Sequence, residues 1–315
     1  MVTESNSPLN SPLNSPSPSF VRTHRSMATW SQVIESYEAV PQAFQSACER
    51  PLATIQPFPH VVFAPVINSM RRKTTERLLC ELDDTLYVWE RVGSQIVAAS
   101  YPLAHVSDLE IGQILLYSWL TISGLTDAGQ PTSVIIEFNT VSRPVYEPFI
   151  HKIRPEAQDT SEEQWKAQRA RFNYLDTVNY KFMNYARESL VRGEQVIHTI
   201  WQPKMSRPIL TLFGRSFNRT VSLAHLAILT DKEVIFIGDD NRFAEARSGH
   251  YGGVWQYIRL RHIMSAAVTE QADGLFTLTL RLSPGGRQLD KLFTAVNQFA
   301  LTQFQEQLER MIGAL

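Results

Sequence analysis

Cysteine is nearly missing from this chain of 315 residues, which has two, Cys48 and Cys80. Two such thiols make no disulfide framework, and Cys80 falls inside an apolar stretch. Both are expected as buried thiols in a reducing compartment, which points to the cytoplasm. Net charge is as scarce: 30 Lys and Arg stand against 31 Asp and Glu, leaving −1. No general field draws in nucleic acid, which is not an expected partner, and any other polyanion would need a local patch. Long apolar runs are missing too. The longest, IGQILLYSWLTISGL (111–125), is too short to span a bilayer and carries Gln113 and Ser118. The first residues are Ser, Pro and Asn, with no apolar segment of a secretory signal.

The spacings that carry chemistry are also lacking. No His or Cys cluster has metal-ligand spacing. GHYGG (249–253) has no following Lys-Ser/Thr and does not open a helix after a strand, so it is no phosphate loop. GDDN (238–241) has no further oxygen ligands at calcium-loop spacing and reads as a turn. No G-x-S-x-G is present. The expectation is a protein with no cofactor, no metal and no enzymatic activity.

What is present reads as mainly β, an α+β chain of two similar parts. SPLNSPLNSPSPS (7–19) has no material for a core, so residues 1–26 are expected to be a disordered tail. Over 27–58, Trp30, Val33, Ile34 and Tyr37 follow helical spacing, and Pro41 suits the first turn of a second helix with Phe44 and Cys48. Strand signals dominate 59–155 and close with SRPVYEPFIHKIR (142–154) as a helix. Residues 156–193 predict a helical linker packing the two parts together. Thr160 and Glu163 have capping-box spacing there, and Asp176 is a possible break. Strands resume over 194–315 and end in an amphipathic helix with Phe299, Phe304, Leu308 and Ile312 on one side.

The two strand-rich regions match. LDDTLYVWE (82–90) lies against TDKEVIFIG (230–238), so that Asp83 falls on Asp231. LAHVSDLEI (103–111) lies against LRHIMSAAV (260–268), so that His105 falls on His262. Equivalent places in two domains are expected to lie far apart unless an interface joins them, and each histidine reads as a strand-end residue satisfied by backbone groups. The second region, with LAILTDKEVIFI, YIRLRHIMSAAV, GLFTLTLRL, RQLDKLFT and its last helix, resembles the bacterial pleckstrin-homology-like (PH-like) domain family over about 187–315. The first is similar over about 59–155. The resemblance implies two tandem PH-like domains. Each would be a bent antiparallel sheet or barrel of about seven strands, capped by a C-terminal helix.

The candidate binding residues are basic: Lys204, Arg207, Arg215, Arg219, Arg242 and Arg247 in the second region, with Arg71, Arg72 and Lys73 in the first. Arginine forks suit phosphate, so convergence of these side chains would form an anion site. PH domains that bind membranes carry Lys…Arg-x-Arg in the corresponding loop, whereas this chain has Arg215-Ser-Phe-Asn-Arg219. The leading functional expectation is a non-catalytic adaptor that binds a protein or peptide partner at sheet edges or beside the last helix. The alternative is peripheral contact with an anionic membrane, at the inner face, through the basic loops. A third reading, an enzyme, would need a cleft with perturbed acids or bases between the two parts.

Overall fold

Apolar runs interrupted by two-residue turns build most of this chain into antiparallel strands. A computed structural model describes residues 29–69, 72–157, 159–212, 215–240, 252–283 and 285–314. The expected disordered tail, 1–26, lies outside the described residues.

The first part runs β1 (Gln32–Ile34), α1 (Gln42–Leu52), β2 (Val61–Ala64), a hairpin of β3 (Asn68–Ser69) and β4 (Arg72–Lys73), β5 (Arg77–Leu82), β6 (Thr85–Val92) and β7 (Gln95–Pro102). A 3₁₀ turn, Leu103–His105, leads to β8 (Val106–Ile114), β9 (Tyr117–Leu125) and β10 (Pro131–Asn139). A second 3₁₀ turn, Thr140–Tyr146, leads into α2 (Glu147–Ile153). After α3 (Glu162–Ala170) and α4 (Tyr180–Ser189), the order from β2 to α2 recurs. β11 (Val196–Gln202) precedes a hairpin of β12 (Met205–Leu212) and β13 (Arg215–Ser222), then β14 (His225–Thr230), β15 (Glu233–Gly238) and β16 (Gly252–Arg259). The 3₁₀ turn Leu260–His262 follows, then β17 (Ile263–Glu270), β18 (Leu275–Leu282), β19 (Gln288–Thr294), the 3₁₀ turn Ala295–Asn297 and α5 (Gln298–Ile312).

The sheets do not respect the halves. One five-stranded sheet has the order β1-β2-β5-β6-β7. A seven-stranded sheet has the order β10-β9-β8-β16-β15-β14-β11, so β8 of the first half pairs directly with β16 of the second. That pairing is antiparallel and runs in unbroken register from Gly252↔Ile114 to Ile258↔Asp108. A three-stranded sheet, β17-β18-β19, closes the second half against α5.

This shared sheet explains why β14 and β15 read as continuous apolar runs. Leu226, Ile228, Ile235 and Ile237 enter a core shared with the first half and with α4. Ala227, Leu229, Val234 and Phe236 face a second core under β18, β19 and α5. A strand buried on both faces has no polar face to alternate with. β5 and β6 are in the same position. Leu79 and Val88 join the shared core, while Leu78, Cys80 and Trp89 face a third core roofed by Phe44, Cys48 and Leu52 of α1. Both cysteines are buried and free, and burial pushes Cys48 up to about 11 and Cys80 up to about 12.

Several local expectations are corrected. Trp30 to Tyr37 do not form a helix: Gln32–Ile34 pair with Val61–Phe63 at the edge of the five-stranded sheet. Ser31 is pinned to Ser142 and Tyr146, which holds this segment extended. Sheet hydrogen bonds here outweigh a short periodicity of four apolar positions. The linker breaks near Asp176 into two short helices, which is one of the two forms expected. The capping box belongs to Ser161 and Gln164, and Asn179, not Asp176, caps α4. The helix closing the first half begins only after a 3₁₀ turn, with Pro148 in its first turn. In α5, Leu301, Phe304 and Leu308 are buried, whereas Phe299 is 74% exposed.

Candidate functional site

The joint between the halves holds the most charged interior of the molecule. Arg154, just beyond α2, is buried and donates through Nε to Glu233 Oε1 at 2.9 Å, and through Nη2 to the same carboxylate and to Ser189 O. Its guanidinium lies 3.6 Å from the Tyr257 ring centroid. Glu194 adds a second buried carboxyl, 4.0 Å from Arg154 Nη2, and accepts the Val191 N–H. Burial, and then the neighbouring Glu233 carboxylate, raise Glu194 well above the usual carboxylate range. The sequence does show a clue to this site, since Glu233 opens an otherwise apolar strand and must find a counter-charge if buried. Arg154 and Glu194 carry no such local signal.

Above this cluster opens a pocket of about 290 Å³ lined by Arg154, Glu194, Asp231, Lys232, Arg259 and Arg261, among others. Asp231 is committed to the fold: its Oδ1 accepts the Gln195 N–H at 2.7 Å, and its own N–H donates to Gln195 O. Asp83, its counterpart, instead occupies a left-handed turn with Asp84, at φ 50° and 56°. Matching positions thus shape matching turns by different means.

An interface joins the turns of the two histidines, the condition under which matching places in two halves come near each other. The 3₁₀ turns that carry them face each other across the joint, and Arg261 Nη2 donates to Leu103 O at 3.4 Å. Burial, and next the Arg261 charge, lower His262 to about 4, with His105 a weaker repulsive neighbour. His262 Nε2 accepts from Arg261 Nε at 3.1 Å, so at neutral pH it is a neutral acceptor. His105 is exposed.

The predicted basic residues fall on corresponding hairpins of the two halves. Arg207 and Arg219 are direct register partners on β12 and β13, and both are exposed. Lys204, also exposed, lines a pocket of about 330 Å³ with Arg207. Arg207 is nevertheless held by Asp273, with Nη1 to Oδ2 at 2.8 Å. Arg215 lies on β13 near the turn, opposite Leu212. Arg72 and Lys73 make up β4, where Lys73 is exposed. Arg71, Arg242 and Arg247 lie outside the described residues. The structure therefore brings Lys204, Arg207 and Arg219 together and places the first-half residues on a separate hairpin.

Sequence reasoning named sheet edges without saying which. β16 has β15 on one side and β8 on the other. Its counterpart in the first half, β7, has β6 on one side and, among the described residues, no strand on the other. Val92↔Gln95 closes the two-residue β6–β7 turn, so the backbone groups of Val97 and Ala99 meet β6, and those of Ile96, Ala98 and Ser100 point outward. Ser100 O accepts the Asp127 N–H at 3.1 Å. Among the described residues, the outer backbone groups of Ile96 and Ala98 have no backbone partner. QIVAASYP carries no charged residue, although exposed edges are commonly guarded by charge.

No protein-family model matches this chain, and no curated protein matches it. No helix among the described residues is long and apolar enough to cross a membrane.

Proposed function

We propose that this chain is a non-catalytic binding protein of two PH-like domains fused through a shared sheet, and that it takes an extended peptide segment of a protein partner on the outer edge of β7. The observation that carries the reading is the pairing of β8 with β16. An edge at this place in the repeated element order accepts an antiparallel strand, and the equivalent edge of β7 carries no strand among the described residues. The added strand supplies main-chain hydrogen bonds, and its alternate side chains supply specificity. Val97, 53% exposed, and the small Ala98 leave room for such a strand. The PH-like assignment is supported by the recurring order of a strand, a hairpin, three strands, a 3₁₀ turn, three further strands, a second 3₁₀ turn and a closing helix, from β2 to α2 and again from β11 to α5.

The test is selection from a library of random peptides displayed against the full chain, followed by binding to two variants. Ala98→Pro removes an outward N–H at no cost to the β6–β7 ladder, and Val97→Lys places a charge on the edge. Selected peptides that lose affinity for both variants support the reading. Peptides that bind both as tightly as the unaltered chain would overturn it.

A second reading, peripheral membrane contact, is favoured by the cross-strand pair Arg207 and Arg219 with Lys204 beside it. It requires co-sedimentation with anionic vesicles that weakens with salt and falls in Arg219→Gln. Full co-sedimentation by that variant would reject it.

A further inference from the structure

The pocket over the Arg154 cluster is short of negative charge. Four cations line it, Arg154, Lys232, Arg259 and Arg261, against Asp231, Glu233 and Glu194. Burial and the adjoining Glu233 carboxylate both raise the Glu194 carboxyl well above the usual carboxylate range. Four cations against three carboxyl groups leave a surplus of positive charge. Arg154 and Glu233 satisfy each other, and Asp231 is turned to the Gln195 backbone. The surplus therefore sits on Lys232, Arg259 and Arg261.

Arg259 is the residue that points to a ligand. Its side chain is half-buried and forms no hydrogen bond or ion pair among the described residues, although arginine is a donor that structures rarely leave idle. Burial and the adjoining Arg261 guanidinium both work against its charge. Arg261 is bonded only to neutral acceptors, His262 Nε2 and Leu103 O. Lys232, on the β14–β15 turn, makes no ion pair among the described residues. Its Nζ lies 3.4 Å from where a side chain on Gly193 would begin. Three cations that line one pocket and form no ion pair among the described residues repel one another and lose hydration, a cost that a bound anion would lower.

We propose that this pocket, at the joint of the two halves, binds a phosphate monoester, with Arg259, Arg261 and Lys232 holding the phosphoryl oxygens and the pocket volume taking the organic part. The donor set selects the class. A phosphate monoester carries about −1.5 to −2 near neutral pH and three acceptor oxygens, which suits three cationic side chains better than one carboxylate with a single charge. Arginine forks bond two phosphoryl oxygens at once, and lysine adds a point charge. The site depends on the fusion, because Arg154 comes from the first half and Arg259 from the second. It is separate from the basic hairpins and from the β7 edge, so it stands or falls independently of the peptide reading.

The phosphoryl group has two natural sources, a soluble ester or a lipid headgroup, and one experiment on the full chain distinguishes them. Glycerol phosphate, glycerol and acetate are titrated calorimetrically, and vesicles with and without phosphatidic acid are sedimented. Variants are Arg259→Gln, Lys232→Gln and, as a control on the hairpin, Arg219→Gln. The expected result is binding of glycerol phosphate but not of glycerol, weakened about tenfold or more in each pocket variant and unchanged in Arg219→Gln. Sedimentation with phosphatidic acid that depends on Arg259 in the same way assigns the lipid source, and its absence beside binding of the soluble ester assigns the soluble one. Lys232→Gln lies on a turn and keeps the test sound if Arg259→Gln disturbs β16. Failure of both phosphate sources to bind overturns the proposal, as does binding that ignores Arg259 and Lys232.

Discussion

Replacing Arg154 with methionine tests how the two halves are held together. Arg154 is buried, bonds Glu233 and Ser189 O, and lies over Tyr257. Methionine keeps much of the apolar stem but removes the charge, leaving the Glu233 side chain, 3% exposed, with no counter-ion. Breaking a buried pair by deleting one partner costs about 3–5 kcal/mol, because the remaining charge stays desolvated. For a protein of ordinary stability, about 5–15 kcal/mol, that is a large share of the whole. Replacing both partners, Arg154→Met with Glu233→Met, removes the orphaned charge and is expected to recover most of the loss, since apolar pairs commonly match buried ion pairs. Equilibrium urea unfolding of the four proteins gives the cycle directly. A single variant that loses less than about 1 kcal/mol, or a double variant as unstable as the single, would refute the reasoning.

Other perturbations follow from the same geometry. His225 is buried edge-on to Phe293 with a ring-centroid separation of 4.8 Å, and burial lowers it to about 4 from 6.5. Its contribution is fully present above pH 6.5 and is lost as pH falls towards 4. Urea midpoints should drop over that window by an amount equivalent to at most about 3 kcal/mol, and His225→Gln should flatten the drop. Glu194 has the opposite sign. Its folded-state value is raised by burial, so its contribution is present below the unfolded value of 4.5 and is lost as pH rises through the raised one. Glu194→Gln keeps an acceptor for Val191 N–H and should raise the melting temperature at pH 8 but not at pH 4. Arg287 Nη1 reaches both oxygens of Asp108, whose side chain is fully buried, at 2.8 and 2.7 Å. Arg287→Ala should cost about 2 kcal/mol by urea unfolding, less than Arg154→Met because Arg287 is partly exposed. At the joint itself, a Cβ on Gly252 would lie 2.3 Å from Gln113 O. Gly252→Ala should therefore destabilise β8–β16 pairing, read as faster amide exchange across 108–114.

The individual strands were legible because their signals are local. Apolar runs such as VIFI, bounded by Asp-Lys or Asp-Asp turns, fix β14–β15 and β5–β6 without knowledge of the rest. The matching of LDDTLYVWE to TDKEVIFIG falls on two hairpins of the same position and turn length. The joint was not legible. Pairing of Val106–Ile114 with a strand far along the chain leaves no period in either segment, and only the three-dimensional partner makes both faces of β14 and β15 apolar. For the same reason nothing in either segment showed that an interface joins the two histidine turns. Trp30–Tyr37 misled because four apolar positions at helical spacing carry less weight than a vacant sheet edge beside them. The basic residues were found by type, yet type alone does not show which converge. Arg207 already has Asp273, while Arg259, inside an apolar strand and without a hydrogen-bond or ion-pair partner among the described residues, carries no local signal in sequence.

The most direct measurement of the central proposal is amide hydrogen exchange on β7 with and without a library-selected peptide bound to the full chain. The outward amides of Ile96 and Ala98 should slow markedly on binding, the inward amides of Val97 and Ala99 should change little, and Ala98→Pro should abolish the effect. Tight binding with no change at Ile96 and Ala98, and protection elsewhere on the surface, would contradict it.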